Sequence, residues 1–149
     1  MGTLCATRGH TGWVLSLDLA RRLRAAGMPW TPSSGDRFVV DRPELEAEVF
    51  VVSDMVAQVV DFVDGAVVGF NGTVEWALDS VAVDDVVWLP REDQLRAALG
   101  GRFVAFRSAP GGFVVELADG SRHTDADAES AYGKAVLGAL DQQGRSDAP

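Results

Sequence analysis

Apolar residues recur along this chain at two different periods, and the changes of period divide it into elements. Leu15, Leu19, Leu23 and Ala26 stand at i, i+4, i+8 and i+11, which predicts a helix near Ser16 to Ala26. Gly27 is placed to end it and Pro29 to stop its continuation, while Arg21, Arg22 and Arg24 fall on its other face. Val and Phe, which fit a pleated surface, then dominate. Strands are expected at 37–40, 48–53, 56–63 and 66–71, the last two joined by an Asp64-Gly65 hairpin turn. Thr73 caps a predicted short helix through Ser80, with Val74, Ala77, Leu78 and Val81 on one side and Glu75 and Asp79 on the other.

Asp84-Asp85 reads as a turn and Val86 to Leu89 as a strand, and Pro90 stands where a helix over Arg91 to Leu99 begins, with Gly100 as its stop. Strands at Arg102 to Ser108 and Phe113 to Leu117 flank Pro110-Gly111-Gly112, and Asp119-Gly120 opens a second hairpin into Ser121 to Thr124. A last helix is expected from Ala126 to Asp141, with Thr124 and Asp127 in capping-box spacing and Tyr132, Val136, Ala139 and Leu140 on its buried face.

Hairpins interrupted by helices, without strict βαβα alternation, predict an α+β fold: a single domain, an antiparallel sheet of hairpins with the N- and C-terminal helices packed on it. Its expected limits are 13–141, after a flexible N-terminus over 1–12 and before a disordered tail over 142–149. In residues 56–70, VAQVVDFVDGAVVGF, apolar side chains occupy both alternating faces. A sheet built that way must be covered on both sides, by helices or by a second copy, and this makes a homodimer the expected assembly.

Composition adds that 47% of the 149 residues are apolar, at a mean hydropathy of +0.07, which excludes a disordered chain. Charge is more informative. Thirteen basic residues against 22 acids leave a net charge of −9, and between Pro43 and Pro90 there are ten acids and no Lys or Arg. No basic patch large enough to displace counterions from a duplex exists, so nucleic acid is not an expected partner. Apolar runs such as Val49 to Val63 are interrupted by Ser53, Asp54, Gln58 and Asp61, so no membrane span is expected. A single cysteine, Cys5, and no signal-peptide pattern make the cytoplasm the expected compartment.

Candidate chemistry is sparse. No Gly-x-Ser-x-Gly elbow, Walker A run or His-Glu-x-x-His pair occurs. His10 with Cys5 is half a zinc site at best, and His123 in SRHTD reads as a histidine at a strand end. No catalytic residue and no cofactor are expected. Asp61, Asp64, Asp84 and Asp85 are the candidate metal ligands, although their spacing matches no EF-hand loop and Asp-Gly turns use the carboxylate on their own backbone. Trp30, Trp76 and Trp88 join Arg21, Arg22 and Arg24 as interface or ligand candidates, with core packing the ordinary role of such rings.

The segments LDLARRLRAAGMPWTPSSGDRF, EVFVVSDM, GFNGTVEWALDSV and WLPREDQL, spread over about residues 15 to 140, resemble a set of small actinobacterial proteins of unknown function, some labelled pilus-assembly protein CpaE. The pairing of an N-terminal helix ending in Ala-Gly with a Trp-Leu-Pro segment is also similar to small phage and mobile-element proteins. The resemblance implies an autonomous domain, admits an accessory role in pilus assembly, and implies no catalytic residues. The expected function is a non-enzymatic cytoplasmic interaction domain that self-associates or binds another protein. The alternatives are a small-ligand or metal-binding protein or enzyme using the acids, and an acidic mimic of DNA.

Overall fold

The computed structural model describes residues 15–44, 48–52 and 82–147, together with the backbone of strands at 57–62, 65–70 and 80–81. Among the described residues the fold is α+β, with three α-helices and nine strands in three antiparallel sheets. The chain divides into two compact units, residues 1–9 with Trp30–Leu89 and His10–Pro29 with Pro90–Pro149. The second is assembled from two stretches of chain on either side of the first, which is why no linker marks a boundary in the sequence.

In the first unit, β1 (Arg37–Val40) pairs with β2 (Val49–Val51) on one side and with β6 (Val86–Leu89) on the other. Register puts Phe38 opposite Phe50 and Trp88, and Val39 opposite Val49 and Val87. Phe38, Val40 and Val86 are buried on one face, and Val39, Val87 and Leu89 on the other. This small sheet is therefore apolar on both sides, the pattern expected further along at residues 56–70. There, β3 (Ala57–Phe62) and β4 (Gly65–Phe70) form a hairpin with Phe62 opposite Gly65, and β4 also pairs with β5 (Ser80–Ala82). Ser80 is thus in a strand and not at the end of a helix. Its β-branched neighbour Val81 lies opposite Val68, and the ladder takes precedence over weak helical periodicity. The rest of that predicted helix, the turn at Asp64 and the N-terminal stretch 1–12 lie outside the described residues.

In the second unit, α1 (Leu17–Ala25) begins where the Ser16 side chain accepts from the Leu19 amide. It ends in a Schellman motif: Gly27, at φ +87°, donates to Arg24 and Met28 donates to Leu23. α2 (Glu92–Leu99) follows Pro90, its start closed by the Arg91 amide donating to Gln94 Oε1. β7 (Phe103–Ala109), β8 (Gly112–Leu117) and β9 (Arg122–Asp125) form a meander.

The last helix, α3 (Ala128–Ser146), packs on β8 and β9 and also against α1 and α2. It starts two residues later than expected. Thr124 belongs to β9, and Asp127 itself caps the helix by accepting from the Ser130 amide at 2.8 Å. It also runs five residues past Asp141, so residues 142–146 are helix and not a frayed tail. Arg102 explains this, reaching the Ala139 carbonyl and the Gln143 side chain, as does Gln142, which donates to Asp119. The buried set is wider than one stripe, Ala131, Tyr132, Gly133, Ala135, Val136, Leu137 and Ala139, because α3 is covered from several directions. Leu140 is half-buried.

The β7–β8 turn imposes the tightest backbone approach. Gly112 sits at φ +150°, and a Cβ there would lie 2.1 Å from the Asp125 carbonyl oxygen and 2.7 Å from Ala126 Cα. Those neighbours are backbone and have no rotamer to change. Gly112→Ala is expected to destabilise the protein by about 1–3 kcal/mol in chemical denaturation. Gly101→Ala, with ordinary φ and nothing within 4 Å, should change it by no more than about 0.5 kcal/mol.

Candidate functional site

The candidates fall into separate neighbourhoods, and the first is an aromatic corner in the unit that carries β1. Trp30 stacks on Trp88 with centroids 5.8 Å apart and planes 8° from parallel, and lies tilted against Phe38, which in turn stacks on Phe50. The corner is held by Asp36, which sequence reasoning did not single out. Asp36 is 2% exposed, and its Oδ2 accepts from the Trp30 indole at 2.9 Å and the Ser33 amide at 3.0 Å. A buried carboxylate without such donors would be strongly unfavourable. The corner can be traced to the string Trp30-Thr-Pro-Ser-Ser-Gly-Asp36, whose turn residues carry the aspartate back beneath the indole. Asp36 is engaged and out of water, so its chemistry is to position Trp30. The Trp88 indole N–H is buried without an acceptor among the described residues.

The expected acidic site is not assembled among the described residues. Asp84 and Asp85 lie exposed in a 3₁₀ turn, Val83–Asp85, and Asp85 faces Arg42 at 3.8 Å. The side chains of Asp61 and Asp64, and all of Trp76, lie outside the described residues. On α1, Arg22 and Arg24 are exposed and Arg21 is half-buried. Arg22 and Arg24 occupy the last turn, where a cation meets the negative end of the helix dipole, so part of their role is local.

The second neighbourhood surrounds His123 on β9. Its imidazole fills a notch in α3 at Gly138, where a Cβ would come within 2.7 Å of Cε1. Ser121 Oγ lies 3.3 Å from His123 Nε2. The Asp119 carboxylate accepts from the Ser121 amide at 2.8 Å and from Gln142 Nε2 at 2.8 Å, which commits it to the turn and to α3. Hydrogen bonds from Ser121, then Gln142, hold Asp119 down to about 2. Burial lowers the His123 pKa, opposed by Asp119 and reinforced by Lys134. The group therefore braces a hairpin against a helix through a neutral imidazole, and Ser121 is one of its members.

A concavity of about 330 Å³ opens at the β7–β8 turn, lined by Pro110, Gly111, Phe113, Thr124 and Asp125 among others. Its polar groups are already engaged: Lys134 Nζ contacts Asp125 Oδ2 at 2.7 Å and donates to the Thr124 carbonyl at 3.2 Å. No helix among the described residues is long and apolar enough to cross a membrane.

Two measurements check these assignments. Trp30→Phe and Trp88→Phe remove similar ring area, but only the first removes a donor from Asp36. Trp30→Phe is expected to cost about 1.5–3 kcal/mol more than Trp88→Phe in denaturant unfolding. For His123, the unfolded chain takes up the proton before the folded one as pH falls. The His123 contribution to stability is therefore full above about pH 6.5 and is lost progressively below it, whereas that of Asp119 is lost only from about 3.8 down through 2. A melting series from pH 7.5 to 4.5 should show a decline that flattens in His123→Gln. An unchanged slope in the variant would refute the bracing role.

No protein-family model, curated protein or solved structure matches the chain.

Proposed function

We propose that the protein is a non-enzymatic cytoplasmic interaction domain that associates with a second copy of itself. The observation that carries this reading is the position of the exposed apolar groups. Among the described residues, the large hydrophobic side chains left in water are Val51, 43% exposed, and Val104, 54% exposed. Both lie on strands, β2 and β7, that are outermost in three-stranded sheets among the described residues. An outer strand presents unpaired N–H and C=O groups to any further strand, and an apolar side chain on it adds area to bury. Soluble proteins usually blunt such strands with lysines or prolines, and β2, Val49-Phe50-Val51, carries neither.

Three carboxylates among the described residues are taken up by the fold, which supports the same reading. Asp36 is committed to Trp30, Asp119 to its own turn and to Gln142, and Asp125 to Lys134. The cytoplasmic setting rests on the single cysteine, Cys5.

Light scattering coupled to size exclusion, run over a range of micromolar concentrations, tests the proposal. The expected species has twice the monomer mass and dissociates on dilution. A monomer at every concentration overturns self-association.

A further inference from the structure

Deepening the self-association reading, on which it rests, we infer that the outward face of the β7–β8–β9 sheet docks the acidic unit of a second copy, with Arg107 and Arg122 as the recognising groups. The face is defined by register. Val115, Leu117 and His123 point toward α3, so their alternates Val114, Glu116, Arg122 and Thr124 point away. On β7, Arg107 is opposite Val114, and Ala105 opposite Glu116. Val104 is the extra residue of a bulge between Phe103 and Ala105, which places it on the same outward side.

Charge on this face is unbalanced. Glu116 is directly opposite Arg122, whose guanidinium lies 3.8 Å away, and also bonds to Arg107. Two guanidiniums thus share one carboxylate. Glu116 is 20% exposed beneath them, while Arg107 is 60% and Arg122 66% exposed. One carboxylate cannot occupy the donor forks of two arginines, so N–H groups remain directed at water and suited to a further carboxylate. Among the described residues Glu116 is the acid that both face, and the two guanidiniums stay largely exposed beside it, which suits them to an intermolecular carboxylate.

The occupant follows from the charge of the two units. The unit bearing this face, residues 10–29 and 90–149, holds ten acids and ten basic residues and is formally neutral. The other unit holds twelve acids against three arginines and so carries the whole net charge of −9. Within it Glu44 and Glu48 are exposed. Every copy carries both surfaces, so a two-fold axis makes the contact twice. Exposed Val104 and half-buried Val114 give the same face apolar area to cover.

A charge-swap experiment on the full chain tests this, with the dissociation constant read by analytical ultracentrifugation and folding checked by circular dichroism. Arg107→Glu with Arg122→Glu is expected to weaken the dimer by about tenfold or more, as is Glu44→Arg with Glu48→Arg, and mixing the two double variants should restore it. If the charge reversal disturbs folding, Arg107→Gln with Arg122→Gln replaces it, with an expected weakening of about threefold or more. A wild-type dimer indifferent to these changes overturns the inference and leaves self-association standing. Loss in each variant without restoration on mixing also overturns it, because the acidic segment is then not the occupant. A wild type that is monomeric throughout removes the underlying reading itself.

Discussion

A carboxylate taken almost wholly out of water must be given donors, and that requirement at Asp36 organises the first unit. The side chain draws in the Trp30 indole and the Ser33 amide, while the backbone of the same residue accepts from Val52 at 2.8 Å and donates to Ser33. With the Gly35 amide donating to the Val52 carbonyl, these bonds carry the β1–β2 pairing one step beyond its regular ladder. Once Trp30 is fixed, its ring covers Trp88 and Phe38 and closes one face of the sheet over Phe38, Val40, Val52 and Val86. One polar contact thus decides where a large apolar area is buried, because moving the indole would expose both the rings and the carboxylate.

The second unit depends on how closely other elements approach α3, and small residues on that helix set the distance. A Cβ at Gly133 would meet Leu19 and Leu15 at 2.9 and 3.0 Å, which marks where α1 crosses, and Gly138 receives the His123 ring. Tyr132 lies within stacking distance of Phe103 and Phe106 of β7, and Phe106 continues to Phe113 of β8, so the buried ring joins the helix to β7 and through Phe106 to β8. The Arg96 guanidinium sits 4.7 Å over the outer ring, Phe103. The Leu15 amide, donating to Glu129 at 3.0 Å, joins the approach to α1 to the first turn of α3 across 114 positions of sequence.

Elements whose signals are local were legible in the sequence, and those settled by tertiary contacts were not. Ser16 and Gly27 bound α1 because capping is chemistry among neighbours, and Asp119-Gly120 opens its hairpin for the same reason. The end of α3 was misplaced because polar residues after Asp141 look frayed until Arg102 and Asp119 are brought beside them. Asp36 escaped notice since an aspartate after Ser-Ser-Gly reads as a turn residue, and burial has no mark in a string of letters. Arg107 and Arg122 were missed in turn because the basic residues singled out, Arg21, Arg22 and Arg24, cluster within one turn of a helix. Residues fifteen positions apart on β7 and β9 converge on Glu116 of the strand between them only through the register of β7, β8 and β9.

Formal neutrality of the second unit conceals an uneven field. Several of its acids are drawn into the fold: Asp127 caps α3, Glu129 holds the Leu15 amide, Asp119 closes its turn, Asp125 faces Lys134 and Asp93 bonds to Arg91. Hydrogen bonding from Lys134 and from Arg91 keeps Asp125 and Asp93 below the usual carboxylate range, so their negative charge is spent on local partners through mildly acid conditions. The arginines on the outward sheet face, Arg107 and Arg122, instead share the single carboxylate of Glu116 and stay largely exposed. A cation directed at solvent contributes little to stability, and its field acts on whatever approaches from outside. The first unit concentrates its acids with few cations to offset them. In the proposed dimer, two such surfaces on each chain would select one orientation over like against like, and a contact built this way should weaken as salt shortens the reach of its field.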